Sequence, residues 1–99
     1  MVRPPKYFKA GDIMQLEGAV IKEQGVTFAI VIVKPYVLNN SGEREDFRTN
    51  CSSLFPHMPI ILMAQDSRGT PTYHGRTDIV KFLASIDPGR IPWNRYTIN

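Results

Sequence analysis

Two uninterrupted apolar runs constrain this chain more than any other feature. The first, VTFAIVIV, spans residues 26–33, and the second, PIILMAQ, spans residues 59–65. Neither run alternates apolar with polar residues, as a strand with one wet face would, and each is too short for a typical helix. We therefore predict two strands buried on both faces, as in the centre of an α/β sheet, and these need helices on each side.

The segment between the two runs has helical periodicity. Residues 43–55 begin with three carboxylates, which the helix dipole favours in a first turn. An apolar stripe follows at helical spacing, at Phe47, Cys51, Leu54 and Phe55. We predict a helix over residues 43–55 that Pro56 ends.

The second apolar run is followed by a turn, an edge strand and a helix. Asp66–Gly69 has turn composition, and residues 70–74 can return as a strand whose Pro71 suits a sheet edge. Residues 77–86 repeat apolar side chains at helical spacing and stop before a proline and a glycine. Residues 87–99 have no long periodicity, and we expect this tail to pack on the core.

The N-terminal quarter allows two interpretations. Residues 12–24 place apolar side chains near one helical face, which slightly favours a helix, although Gly18 weakens it. The alternative is a strand around residues 19–22 that turns at residues 23–25 into the first apolar run. Residues 1–11 contain a proline pair and are expected to form a loose arm or a short edge strand. Tyr36–Leu38 is expected to prolong the first central strand past a kink.

The predicted order is α-β-α-β-β-α, in one domain over residues 1–99. It predicts a three-layer α/β/α sandwich with a sheet of three to four strands, or an α+β fold if the chain starts with a hairpin. Over residues 12–86 this order resembles the second half of a thioredoxin-like fold, which implies a cis-proline at Met58-Pro59. The CxxC motif of the redox members of that family is absent.

Composition excludes several classes of protein. The net charge of +3 comes from basic residues spread between acidic ones, so it indicates a solvated surface more than a nucleic-acid face.

The single Cys51 excludes an internal disulfide and fits a reducing compartment. The apolar runs are too short to span a membrane, and no signal peptide precedes them, so we expect a cytoplasmic protein. No phosphate-binding loop, nucleophile elbow or metal-ligand spacing occurs, so no cofactor is predicted.

The stretch DSRGTPTYHGRTD, residues 66–78, is the first candidate binding site. A helix that starts near Thr77 would direct backbone N–H groups and a positive dipole end toward the preceding loop. The residues that would bind an anion there are Arg68, Gly69, Tyr73, His74, Gly75 and Arg76. The alternative is a hairpin turn with solvated arginines, because these residue types need no ligand to explain them.

The tail RIPWNRYTIN is the second candidate. Its aromatic and basic residues interleave, as in protein interfaces and single-strand nucleic-acid sites, and the residues concerned are Arg90, Trp93, Arg95 and Tyr96. The alternative is that the tail covers the core.

Three functions follow from these features. The first is a non-enzymatic binding or interaction module with a protein partner, because no catalytic motif occurs. The second is a binder of nucleic acid or of an anionic ligand through its arginines. The third is a thiol enzyme that uses Cys51, although the position of Cys51 on the apolar stripe is typical of a buried, inert cysteine.

Overall fold

The structure is a computed structural model and describes residues 14–98. The strands in this range are β1 (Met14–Glu23), β2 (Val26–Ile32), β3 (Ile60–Gln65), β4 (Pro71–His74) and β5 (Asn94–Ile98). The α-helices are α1 (Pro35–Leu38), α2 (Ser41–Cys51) and α3 (Thr77–Leu83), and a 3-10 helix covers Pro88–Arg90. The prediction for residues 1–11 lies outside the described residues.

The strands form one mixed sheet in the order β4-β3-β2-β1-β5. β2 and β3 are parallel, and every other neighbouring pair is antiparallel. The two apolar runs are β2 and β3, which lie side by side with Ala29 opposite Ile60. The N–H of Val33 continues this pairing by donating to the carbonyl of Met63 at 2.8 Å. The prediction of two central strands is therefore confirmed.

Alternate side chains of β2 and β3 enter two apolar clusters on opposite faces of the sheet, because successive residues of a strand point to opposite sides. Val31 and Leu62 join the first cluster, and Ile30 and Ile61 join the second. The first cluster receives Val37, Leu38, Phe47 and Cys51 from α1 and α2. The second receives Ile79 and Leu83 from α3. Helix residues thus contribute to the apolar cluster on each face of the sheet.

Residues 14–23 are a strand, so the helix favoured over residues 12–24 is wrong and the hairpin is found. Gln24 and Gly25 have φ angles of 51° and 80°, the left-handed pair that a tight two-residue hairpin turn requires. Val20, which the helical interpretation placed on the apolar face, is 41% exposed. Residues 14–23 therefore follow the two-residue alternation of a strand, and not the helical spacing.

Several boundaries also differ from the prediction. Tyr36–Leu38 does not prolong β2, because Pro35 occupies the first position of α1, where its fixed φ suits a helix. α2 begins at Ser41, since the side chain of Asn40 accepts a hydrogen bond from the N–H of Glu43 at 3.0 Å. It ends at Cys51, four residues before the predicted end at Phe55, and α3 ends at Leu83 rather than at Ile86. The tail forms β5, a strand that was not predicted.

The described part of the chain is therefore a mixed α/β domain with a five-stranded sheet, and not the predicted sheet of three to four strands. The predicted α-β-α-β-β-α order is wrong at its start, so the thioredoxin-like pattern that depended on it is not confirmed. The Met58-Pro59 peptide is trans, as are the other peptide bonds of residues 14–98. No helix within this range is long and apolar enough to cross a membrane.

Gly18 of β1 lies close to the backbone of β2. A Cβ atom at this position would lie 2.7 Å from the carbonyl oxygen of Ile30 and 3.7 Å from atoms of the Phe55 and Tyr96 rings. The absence of a side chain lets both rings lie over β1, where they pack edge to face with centroids 5.0 Å apart.

We expect Gly18→Ala to lower the free energy of unfolding by about 1–3 kcal/mol, because the added methyl group meets a backbone oxygen that cannot move alone. Urea denaturation measures the change. The matched control is Gly42→Ala in the first turn of α2, where the added Cβ would meet only the side chain of Asn40 at 3.4 Å. A Gly18→Ala protein as stable as the wild type would contradict the close approach.

Candidate functional site

The turn of residues 66–70 satisfies its own polar groups. The Asp66 carboxylate accepts hydrogen bonds from the N–H groups of Arg68, at 2.8 Å, and Thr70, at 2.9 Å. Gly69 adopts the left-handed φ of 84° that completes the turn, and its N–H donates to the carbonyl of Asp66. The Arg68 side chain is exposed. The local chemistry of the hairpin turn therefore explains Arg68 and Gly69.

The other four predicted anion-binding residues do not converge. Tyr73 pairs with Met63 and packs in the cluster under α3, whereas His74 pairs with Leu62 and lies on the α2 side of the sheet. Gly75 presses against β3, since a Cβ there would lie 2.5 Å from Cδ1 of Ile61.

Arg76 is already neutralised by a neighbour. Its guanidinium donates to both carboxylate oxygens of Asp78, at 2.8 and 3.0 Å. The pair is exposed, and α3 has only seven residues. An anion at this position would compete with a carboxylate that is always present.

The predicted tail residues separate onto two faces. The Trp93 ring joins the cluster under α3, and its indole N–H donates to the carbonyl of Pro88 at 3.0 Å. The Tyr96 ring packs on Phe55 in the opposite cluster. Arg90 and Arg95 are exposed. The two aromatic rings therefore do not form one contact surface.

Cys51 is fully buried in the cluster beneath α2. Burial raises the pKa of its thiol to about 12, so the thiolate that a nucleophile requires is scarce at neutral pH. Within residues 14–98, no group of three or more His, Cys, Asp or Glu side chains could hold a metal ion. The thiol has the environment of a core residue.

Arg48 of α2 cross-links the helix to two strands. Its Nε donates to the carbonyl of Ile60 at 3.2 Å, and its Nη2 donates to the carbonyl of His74, also at 3.2 Å. The same Nη2 lies 3.0 Å from Nδ1 of His74, and Nη1 donates to the carboxylate of Glu45. One side chain thus joins α2, the start of β3 and the end of β4.

The contact with Arg48 fixes the proton of His74. A guanidinium only donates, so Nδ1 must accept and the ring proton resides on Nε2. Burial lowers the pKa of His74, as do the positive charges of Arg44 and Arg48, while Glu45 acts in the opposite direction. The hydrogen bond from Arg48 lowers the pKa of Glu45, which therefore remains ionised. At neutral pH this cluster holds a neutral imidazole and a carboxylate.

A cleft of about 550 Å³ opens where β1 separates from β2. β1 pairs with β2 only from Gly18 opposite Val31 onward, whereas its pairing with β5 extends back to Met14. On the other side, β2 ends at Ile32 and Pro35 starts α1. Among the described residues, the first four of β1 thus pair with β5 alone, and the cleft lies between them and the end of β2.

The cleft has an apolar floor and a polar rim. Four buried side chains on the α1–α2 face of the sheet form the floor, and these are Leu16, Val33, Val37 and Phe47. Ile32, which packs on the opposite face, also lines the cleft. Exposed residues form the rim, and these are Gln15, Glu17, Lys34, Tyr36 and Arg95. This combination of an apolar base with a few polar groups is typical of small-molecule sites.

Two cations line the cleft, and strand alternation directs Arg95 to the sheet face opposite that of its neighbour Tyr96. Lys34 follows β2, and Arg95 lies on β5, directly opposite Glu17 in the β1–β5 register. Side chains that are opposite in an antiparallel pair lie close together, so Glu17 offsets part of the charge of Arg95. Two cations and one carboxylate leave the rim with a formal charge of +1.

The cleft joins residues that the sequence does not bring together. Of the predicted binding residues, only Arg95 lines it. Lys34 and Glu17 stand in ordinary positions, beside a proline and within a strand, and no motif marks them. Scans against protein-family models, curated proteins and solved structures find no match to this chain.

We expect Tyr73→Phe to raise the free energy of unfolding by about 1 kcal/mol, because the Tyr73 hydroxyl is buried without a hydrogen-bond partner. Thermal and urea unfolding measure the change. Tyr96→Phe is the control, since the hydroxyl of Tyr96 is not among the buried groups that lack a partner. Destabilisation by Tyr73→Phe would show that this hydroxyl has an acceptor.

We expect stability to fall as the pH decreases below the ordinary histidine value of 6.5. The pKa of His74 is lowered in the folded state, so the unfolded chain binds the proton more readily, and acid favours unfolding. Urea unfolding of wild type and His74→Asn across this pH range tests the effect. The asparagine oxygen can still accept from Arg48 but does not titrate. Parallel stability curves for the two proteins would refute the assignment to His74.

Proposed function

We propose that this protein is a non-enzymatic binding module whose site is the cleft between β1 and the end of β2. Its ligand is a small amphipathic molecule with an apolar body and one anionic group. The observation that carries this proposal is the cleft itself, which combines a buried apolar floor with flanking cations.

The floor favours an apolar ligand body. Phe47 approaches from α2, Val37 from α1 and Leu16 from β1, so three elements converge on the cleft. Its volume of about 550 Å³ lies within the range of sites that enclose a small molecule. A ligand would cover the small apolar area that these buried side chains still expose.

The rim favours an anionic group. Lys34 and Arg95 are exposed, and only Glu17 opposes them among the charged residues of the rim. A carboxylate or phosphate between them would gain charge-assisted hydrogen bonds, which are stronger than neutral ones. The net charge of +3 of the chain would assist the approach of such a ligand.

Nucleic-acid binding, a thiol enzyme and a protein partner receive less support. Nucleic-acid binding would draw on Arg68 and Arg95, but these lie at opposite edges of the sheet, one in the β3–β4 turn and the other on β5. A thiol enzyme would need access to Cys51, which is fully buried. A protein partner anchored by Trp93 and Tyr96 would have to reach two faces of the sheet.

The fold supports a three-layer description as part of this proposal. α1 and α2 contribute to one apolar cluster and α3 contributes to the other, so helices stand on both sides of the sheet. In such an arrangement, a ligand site at the end of a central strand, where the strand order changes direction, is common. The cleft lies beside the carboxyl end of β2, one of the two parallel strands.

The test uses phenyl phosphate, which combines an aromatic body with an anion, in an amide NMR titration. We expect saturable shifts at residues 15–17 and 33–37, and weaker effects from phenol or inorganic phosphate alone. Lys34→Gln and Arg95→Gln should each weaken binding about tenfold, the effect of losing one charge-assisted contact.

The matched control is Arg68→Gln, which removes the same charge from a residue outside the cleft. It should leave the affinity for phenyl phosphate unchanged. Equal binding of phenol and phenyl phosphate would remove the anionic part of the proposal. Shifts confined to residues outside the cleft would remove the site.

A further inference from the structure

A carboxylate stands between two arginines on the surface of α2. Arg48 donates through Nη1 to an oxygen of Glu45, and Nε of Arg44 lies 3.7 Å from the same oxygen. The Glu45 side chain is 58% exposed, whereas those of Arg44 and Arg48 are 23% and 22% exposed. The two cations are thus held by backbone carbonyls, and the anion that they share is the most exposed member of the group.

Arg44 has a donor that nothing accepts. Its Nη1 donates to the carbonyl of Leu38 at 2.9 Å, which anchors the guanidinium against the end of α1. Its Nε is buried and has no hydrogen-bond partner. A buried donor without an acceptor costs stability, so this position favours an additional oxygen.

His74 is joined to this cluster through Arg48. Its Nδ1 accepts from Nη2 of Arg48 at 3.0 Å, so its Nε2 carries a proton. The cluster therefore combines two guanidinium groups around one exposed carboxylate, and His74 helps to position one of these guanidinium groups.

We propose that Arg44 and Arg48, the second of which His74 helps to position, form a binding site for a phosphate group, which takes the place of the Glu45 carboxylate. A phosphate carries more negative charge than a carboxylate and offers more acceptor oxygens. It can accept from Nη1 of Arg48 and from Nε of Arg44 while Glu45 turns into solvent. This site is additional to the cleft, which none of these four residues lines.

The contacts that hold the fold remain during this exchange. Nε and Nη2 of Arg48 keep their bonds to the carbonyls of Ile60 and His74, because only Nη1 is shared with Glu45. The side chain of Glu45 is already 58% exposed, so water screens its ion pair with Arg48. Breaking such an exposed pair costs little free energy.

The test compares phosphate binding by wild type and Glu45→Gln, with amide and arginine side-chain NMR shifts as the readout at constant ionic strength. Inorganic phosphate and glycerol phosphate are titrated separately, to distinguish the free ion from a phosphate monoester. We expect Glu45→Gln to tighten binding at least about threefold, because it removes the competing charge. Arg44→Lys keeps the charge but removes Nε, and should weaken binding by a similar factor.

Asp78→Asn provides the matched control. It also frees an arginine from a carboxylate, since Asp78 neutralises Arg76, but this pair has only one guanidinium, on a side chain that is 50% exposed. We expect no tighter phosphate binding in this variant.

Equal gains for Asp78→Asn and Glu45→Gln would show a general charge effect and overturn the site. Absence of saturable shifts at Arg44 and Arg48 in both wild type and Glu45→Gln would also overturn it. Either result would leave the phenyl phosphate titration of the cleft unaffected.

Discussion

The parallel pairing of β2 with β3 is the constraint on which the rest of the fold depends. Both strands are almost wholly apolar, so both of their faces must be covered. Two parallel neighbours also need a crossover connection, and the chain between them supplies α1 and α2 over one face. α3 follows β4 and covers the other face. The antiparallel strands β1 and β5 then extend the sheet beside β2, and the cleft opens where β1 separates from it.

The central strands were predictable because their signal is local and strong, whereas the first strand was not. In residues 14–23 a period of two and a helical period coexist, and only the turn at Gln24 and Gly25 distinguishes them. Gly18 weakened the helical interpretation. The structure explains a glycine at this position, because the carbonyl oxygen of Ile30, a residue twelve positions away, leaves no room for a side chain. β5 pairs with β1 from the far end of the chain, so no local pattern could reveal it.

The candidate site was less predictable than the fold, because the cleft forms where the pairing of β1 with β2 ends. The strand register ends at Gly18, and this leaves Glu17 and Lys34 on opposite sides of an opening. No spacing in the sequence encodes such an ending. The predicted loop of residues 66–78 had suitable residue types, but strand alternation directs Tyr73 and His74 to opposite faces of the sheet. The residue types of this loop therefore suggested an anion site, whereas the backbone directs its side chains to different faces of the sheet.

Arg48 shows how one side chain can serve both stability and binding. Two of its nitrogens are committed to carbonyl groups that begin β3 and end β4, and these contacts position the guanidinium without any ligand. Its third nitrogen faces a carboxylate from the same helix, one turn away. An intramolecular anion keeps the local charge balanced, and it also sets a threshold, since a ligand must bind better than Glu45 to replace it. His74 makes this balance dependent on pH, because its protonation would add positive charge while ending its role as acceptor for Arg48.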